Sequence, residues 1–146
     1  MATYLLDTNI LLRLSDPSAA GHGQASRAII RLRQENHTLF FTAQNIIEFF
    51  AVATRPVSAN GLGLSVGETL NEIDRIRALF LQVDESPQVF THWLTIVRDY
   101  DVKGKKVHDA RLVAVMLANG IARLLTFNVN DFLRYPFLAP LHPADA

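Results

Sequence analysis

Four carboxylates interrupt apolar runs that would bury more easily without them. Asp7 follows Tyr4, Leu5 and Leu6; Glu48 splits Ile46 and Ile47 from Phe49 and Phe50; Asp109 stands ahead of the apolar run 112–118; Asp131 precedes Phe132 and Leu133. An ionised carboxylate in an apolar setting is costly unless it is paired, hydrogen-bonded or bound to a metal. Four of them, each beside a different predicted element, point to one shared cationic ligand. Carboxylates converging at about 4 Å repel and raise at least one pKa unless a divalent cation neutralises them. The chain has no cysteine and no paired histidines, and oxygen-only ligands select hard ions, Mg²⁺ or Mn²⁺, over zinc. Such a cluster activates water and stabilises the leaving oxygen of an in-line phosphoryl displacement. The pattern therefore predicts a metal-dependent phosphodiesterase. Structural readings compete at each position: Asp7 as a helix cap, Glu48 paired with Arg55 or Arg111, Asp109 at a helix start, and Asp131 as a solvated turn residue.

The elements that must position these acids alternate between strand and helix. Residues 3–6 read as a strand ending at Asp7, 9–14 as a helix, and 19–34 as a surface helix with Ala28, Ile29 and Leu32 at helical spacing. A second strand is expected at 38–41 and a helix at 43–53, capped by Thr42. After a loop at 56–63, Ser65 and Glu68 form a capping-box pattern that starts a helix running to about residue 79. A short strand follows at 80–83, a helix from Ser86-Pro87 to about 100, and another helix at 107–119 stopped by Gly120. Residues 123–127 read as a strand, 128–133 as a turn or short helix, and 136–146 as a tail with room for one last short strand. This alternation implies right-handed crossovers and an α/β fold, three layers α/β/α with a central, mostly parallel sheet. Ligands in such folds sit beyond the carboxyl ends of the strands, where Asp7 and Asp131 are expected.

The bulk composition is compatible with this. The 146 residues suit a single domain, 1–146, and 49% hydrophobic against 19% charged content is that of a globular chain. Net charge is zero, which argues against a purely electrostatic nucleic-acid binder. Setting the four acids aside leaves a mildly basic remainder, compatible with a phosphodiester substrate. The longest apolar run, 112–118, is far short of a membrane span, and the N-terminus has no basic signal region. A cytoplasmic location is the expectation, with no membrane association.

Four motifs in order then resemble a known family: Leu5-Leu6-Asp7-Thr8-Asn9, Asn45-Ile46-Ile47-Glu48-Phe49, His108-Asp109-Ala110-Arg111-Leu112, and Leu125-Thr126-Phe127-Asn128-Val129-Asn130-Asp131-Phe132. Together they resemble the PIN domain, and within it the VapC-type toxin ribonucleases of bacterial toxin–antitoxin pairs, across essentially the whole chain. The resemblance implies an RNA endonuclease using Mg²⁺ or Mn²⁺, often homodimeric and inhibited by a small antitoxin protein. By position, Asp7 and Asp109 would be principal metal ligands, with Glu48 completing the cluster. Many relatives carry an acid two residues after the threonine, where this chain has Asn128, so Asp131 is the alternative for the fourth place. Thr8, Asn9 and Thr126 would orient ligands or water.

The remaining patterns are weaker. Lys103, Lys105 and Lys106 precede Asp109 and suit either phosphate contacts or a solvated loop; His108 adjoins Asp109 and is read chiefly as structural. Gly63-Leu64-Ser65-Val66-Gly67 matches the nucleophile elbow of serine hydrolases, but no strand precedes it and Ser65 explains itself as a helix cap. Trp93 and the phenylalanines at 40, 41, 49 and 50 are read as core rather than as base-stacking platforms. Two other functions stand against the ribonuclease: a phosphoryl-transfer enzyme or receiver with Asp7 as phosphoacceptor, and a PIN-like RNA-binding or regulatory domain without catalysis.

Overall fold

The computed structural model describes all residues, 1–146. Its strands are β1 (Thr3–Leu6), β2 (Thr38–Phe41), β3 (Leu81–Gln82), β4 (Arg123–Leu125) and β5 (Ala139–Leu141). They form one sheet in the order β3-β2-β1-β4-β5, and every adjacent pair is parallel. The expected mostly parallel sheet is thus wholly parallel. The chain winds outward from β1 through β2 to β3, then returns to place β4 on the other side of β1. The topological switch therefore lies between β1 and β4, and their carboxyl ends lead into Asp7 and Thr126.

Six helices cover the sheet: α1 (Thr8–Leu14), α2 (His22–Gln34), α3 (Ala43–Thr54), α4 (Val66–Leu79), α5 (Gln88–Asp99) and α6 (Lys106–Ala118). Alternation along β1 divides the core. Tyr4 and Leu6 pack with Ile10, Ala28, Leu32, Phe49 and Ile76 from α1 to α4. Leu5, between them, packs on the opposite face with Ile96, Val113, Met116 and Leu124, under α5 and α6. Burying each such large aliphatic side chain contributes about 1.5–3 kcal/mol, and both faces of the middle strands are covered. This is the three-layer α/β/α arrangement expected.

Local chemistry explains most boundaries. Thr42 and Asn45 make a reciprocal capping box at α3, and Ser65 and Glu68 make another at α4, so Ser65 is a cap and not a nucleophile. Helix α2 starts at residue 22 and not at 19, because Gly21 adopts a left-handed φ of 88° as its N-cap. A side chain there would also meet the Phe127 ring at 3.0 Å. β3 keeps only two residues of the four expected, with Phe80 serving as the C-cap of α4. The tail supplies the last strand, β5, whose edge position tolerates Pro140.

Candidate active site

Asp7 is the N-cap of α1 and sits at the centre of a hydrogen-bonded knot. Its Oδ1 accepts from the Thr8 backbone N–H at 2.8 Å, and its Oδ2 accepts from the Thr126 hydroxyl at 2.8 Å and from Asn9 Nδ2 at 3.4 Å. Thr126 in turn accepts from the Asn128 backbone N–H at 2.9 Å, while Asn9 Oδ1 accepts from the Phe127 N–H at 3.2 Å. The Thr8 hydroxyl accepts from Asn45 Nδ2 at 3.0 Å, tying α1 to the capping box of α3. The carboxylate is buried, and that desolvation outweighs the Thr126 and Thr8 hydrogen bonds. Its pKa rises from 3.8 to about 6, with Glu48 and Asp131 adding repulsion.

The other acids close around it from three elements. Asp109, in the first turn of α6, has its pKa raised from 3.8 to about 6 by burial and by the negative charges of Asp7 and Asp131, against partial relief from Lys106 and His108. Glu48, on α3, is raised by burial and by Asp109, while the Gln44 hydrogen bond, His108 and Arg111 oppose the shift. Asp131 lies in a 3-10 turn, Val129–Phe132, and accepts from Lys106 Nζ at 2.6 Å. The four acids therefore feel one another across the switch between β1 and β4. Beside them opens a cleft of about 980 Å³ lined by Gln44, Glu48, Lys105, Lys106, His108, Asp109 and Arg111, among others.

A profile of the family described as PIN domain matches residues 4–138, nearly the whole chain. The chain belongs to the PIN domain family. Solved structures of similar fold include VapBC2 from Rickettsia felis bound to a DNA fragment from its promoter, with TM-score 0.69, 16% identity, and 96% of this chain and 98% of that one covered. VapBC-1 from nontypeable Haemophilus influenzae gives TM-score 0.69 at 17% identity, covering 97% and 98%. VapC20 from Mycobacterium tuberculosis, described as a Sarcin-Ricin loop cleaving toxin, gives 0.56 at 18%, covering 83% and 86%. No curated protein sequence matches the chain.

Within this PIN domain, sequence reasoning brought Asp7, Thr8, Asn9, Glu48, Asp109, Thr126 and Asp131 to one region. Asn128 contributes its backbone N–H; its side chain is exposed. Lys105, Lys106 and His108 line the cleft. Lys103 stands apart, its exposed side chain paired with Asp101 at 3.3 Å. Glu48 pairs with neither Arg55 nor Arg111; Gln44 Nε2 donates to its Oε1 at 2.9 Å and to the His108 carbonyl at 2.8 Å. Arg111 instead forks onto Glu85, at 2.7 and 3.3 Å, and donates to Gln44 Oε1 at 3.0 Å. Gln44 and Glu85 are thus residues that the sequence did not point to, while Asn45 and Arg111 stood in the quoted motifs without the partners they have here. For Gln44 the advance signal was its i,i+4 spacing from Glu48.

The groups this PIN domain offers a cation are carboxylate, hydroxyl and amide oxygens, the donor chemistry of a hard divalent ion. As placed, no three acidic or histidine side chains lie close enough to coordinate one ion. Glu48 is held by Gln44 and Asp131 by Lys106. The donor set fits such an ion in chemistry and in charge, since a cation between Asp7 and Asp109 would relieve the repulsion that raises Asp109.

Proposed function

We propose that this PIN domain is a metal-dependent endoribonuclease, hydrolysing RNA phosphodiester bonds with Mg²⁺ or Mn²⁺, and that it serves as the toxin of a toxin–antitoxin pair. The observation that carries the reading is the mutual coupling of Asp7, Glu48, Asp109 and Asp131 at the carboxyl end of a parallel sheet, beside a cleft with a cationic rim. Asp7 and Asp109 would hold the ion, with Glu48 completing the set; when bound, it supplies charge neutralisation and a more acidic water. Thr126 and the Thr8 N–H fix the Asp7 carboxylate in one orientation. Gln44 occupies Glu48 Oε1, which leaves Oε2 as the oxygen that would complete the set, while the proton released as water attacks phosphorus is returned to the leaving oxygen. One P–O ester bond breaks, giving a phosphate monoester and a hydroxyl. Lys105, Lys106 and Arg111 offset phosphate charge along the rim. The toxin–antitoxin character of the solved relatives supports a small antitoxin as partner, and the family resemblance supports a homodimer.

The test is cleavage of RNA with Mg²⁺, Mn²⁺ or EDTA, comparing the unaltered chain with Asp7→Asn and Asp109→Asn. Metal-dependent cleavage lost in both variants is expected; equal activity in all three overturns the assignment. The spacing of the acids and the Lys106–Asp131 contact favour a second reading, an RNA-binding PIN domain without catalysis. RNA binding with neither cleavage nor a metal-induced rise in thermal midpoint would select it.

A further inference from the structure

Phe90 is an unusual residue for the outside of a helix: it is 63% exposed, although Val89 and Ile96 of the same helix α5 are buried. It is aligned with Trp93, the chain's one tryptophan. The two rings lie 6.2 Å apart between centroids with planes inclined by only 17°, an offset stack and not an edge contact, so the exposed Phe90 extends the aromatic surface that Trp93 begins. The indole is anchored because its Nε1 donates to the Val107 carbonyl at 2.8 Å. Trp93 was expected in the core; it does pack against the core, but one side remains open. Phe90, Trp93, Pro87 and Val107 wall a pocket of about 460 Å³. Glu85, His108 and Arg111 line both this pocket and the cleft beside the four acids.

We infer that this pocket is a nucleobase subsite, in which the Phe90–Trp93 platform stacks one unpaired base of the RNA whose phosphate lies in the adjoining acidic cleft. The inference rests on the ribonuclease reading for its ligand class. Its occupant is argued from three features. An aromatic platform offers a π-face to any base, and single-stranded RNA is held chiefly by such stacking together with backbone charge. Lys105 and Lys106 line the cleft and not the pocket, and Arg111 stands where the two meet, as a chain with phosphates on one side and a splayed base on the other requires. Arg111 stands at the junction with its position fixed by the Glu85 fork, so the two compartments keep a set separation. Stacking that does not read base edges makes the subsite selective for unpaired over duplexed RNA, and tolerant of base identity.

Trp93 itself reports the test. The unaltered chain in EDTA, which withholds divalent metal, is titrated with a labelled single-stranded tetraribonucleotide and with an abasic counterpart of equal charge. Binding is read by anisotropy of the label and stacking by indole fluorescence. Quenching by the RNA and little by the bound abasic strand is expected, with Phe90→Ala weakening RNA binding roughly tenfold and leaving abasic binding unchanged. Equal quenching by both strands, or RNA binding with no quenching, overturns the subsite. So does a Phe90→Ala chain that changes oligomeric state but binds RNA normally, because the platform is then a protein interface. Base-dependent quenching in a chain that cleaves no RNA would leave the subsite standing and sink the nuclease; cleavage with no quenching would do the reverse.

Discussion

The acids of the site are held in two different ways. Asp7 is anchored by backbone and short side chains that are themselves buried: Thr8, Thr126, and through Thr8 the Asn45 capping box. Glu48 and Asp131 are held by long side chains at the cleft edge, Gln44 and Lys106, that can move away without unmaking a helix or strand. Asp109 lies between these regimes, coupled by charge to Asp7 and Asp131. The difference teaches that the fold holds one carboxylate fixed in spite of its desolvation and leaves the others adjustable. A buried charge with rigid partners is an element of the scaffold, whereas a half-exposed one with mobile partners can change partner when a ligand arrives.

The sharpest break removes the fixed charge. Asp7→Asn is expected to lower RNA cleavage by about 10³-fold or more, the equivalent of several kcal/mol of transition-state stabilisation, measured as kcat/KM. Disrupting the anchor and not the charge should act on the fold. Asn45→Ala strips the Thr8 hydroxyl and the Thr42 N–H of buried partners, which costs about 3 kcal/mol. Denaturant unfolding should show it, and an unchanged midpoint would mean that the knot is not what holds α1 to α3.

The comparison also has a pH signature. Asp7 has a pKa of about 6 in the fold against 3.8 as its ordinary value, so between these pH values the folded chain binds more protons than the unfolded one. Through Asp7 alone the stability of the metal-free chain therefore falls as pH rises from about 4 to about 6, by on the order of 3 kcal/mol, and Asp109, raised in the same way, adds to the fall before it levels off above. Saturating Mg²⁺ or Mn²⁺ should raise the thermal midpoint at pH 7 and have little effect at pH 5, where protons already neutralise the pair. A midpoint insensitive to both pH and metal would dissolve the distinction between a fixed, desolvated acid and its neighbours.

How much of this was legible in the sequence follows the same division. Asp7 stands at a strand end, so its place with Asp131 at the sheet's carboxyl edge followed from strand alternation and the ligand-at-the-switch rule, whereas Thr8, Asn9 and Thr126 were named only through the family resemblance. The Thr42 cap and the Ser65–Glu68 capping box were likewise local patterns and became the observed helix starts, with Asn45 completing a second box that the sequence reading had not named. Lys105, Lys106 and His108 of the rim were named from the sequence and line the cleft, but the contacts that brace the rim were illegible for a physical reason. Arg111 meets Gln44 across 67 residues and Glu85 across 26, and periodicity reports only neighbours on the same element. Trp93 packs against the core as expected, but only the neighbouring loop at 85–87 and α6 decide that one side of it stays open beside Phe90, for which the sequence raised no expectation. The left-handed Gly21 and the two-residue β3 show the same limit at element ends, where tertiary contacts set the boundary.

The smallest expected effect tests the adjustable side directly. Lys106 and Asp131 form a close pair, but their side chains are 43% and 36% exposed, so solvent screening leaves the pair worth less than about 1 kcal/mol. Lys106→Met should therefore barely move the unfolding midpoint. It removes the one cation that bonds directly to an acid of the cluster, and with it a charge that holds the Asp109 pKa down. The cluster becomes more negative, and Mg²⁺ binding should tighten by roughly fivefold, about 1 kcal/mol, in a calorimetric titration at pH 7. If Asp131 were instead a structural partner of Lys106, the same substitution would cost stability and leave metal affinity where it was. The two outcomes move different observables, so this modest variant decides whether the fourth acid belongs to the site or only to the turn that carries it.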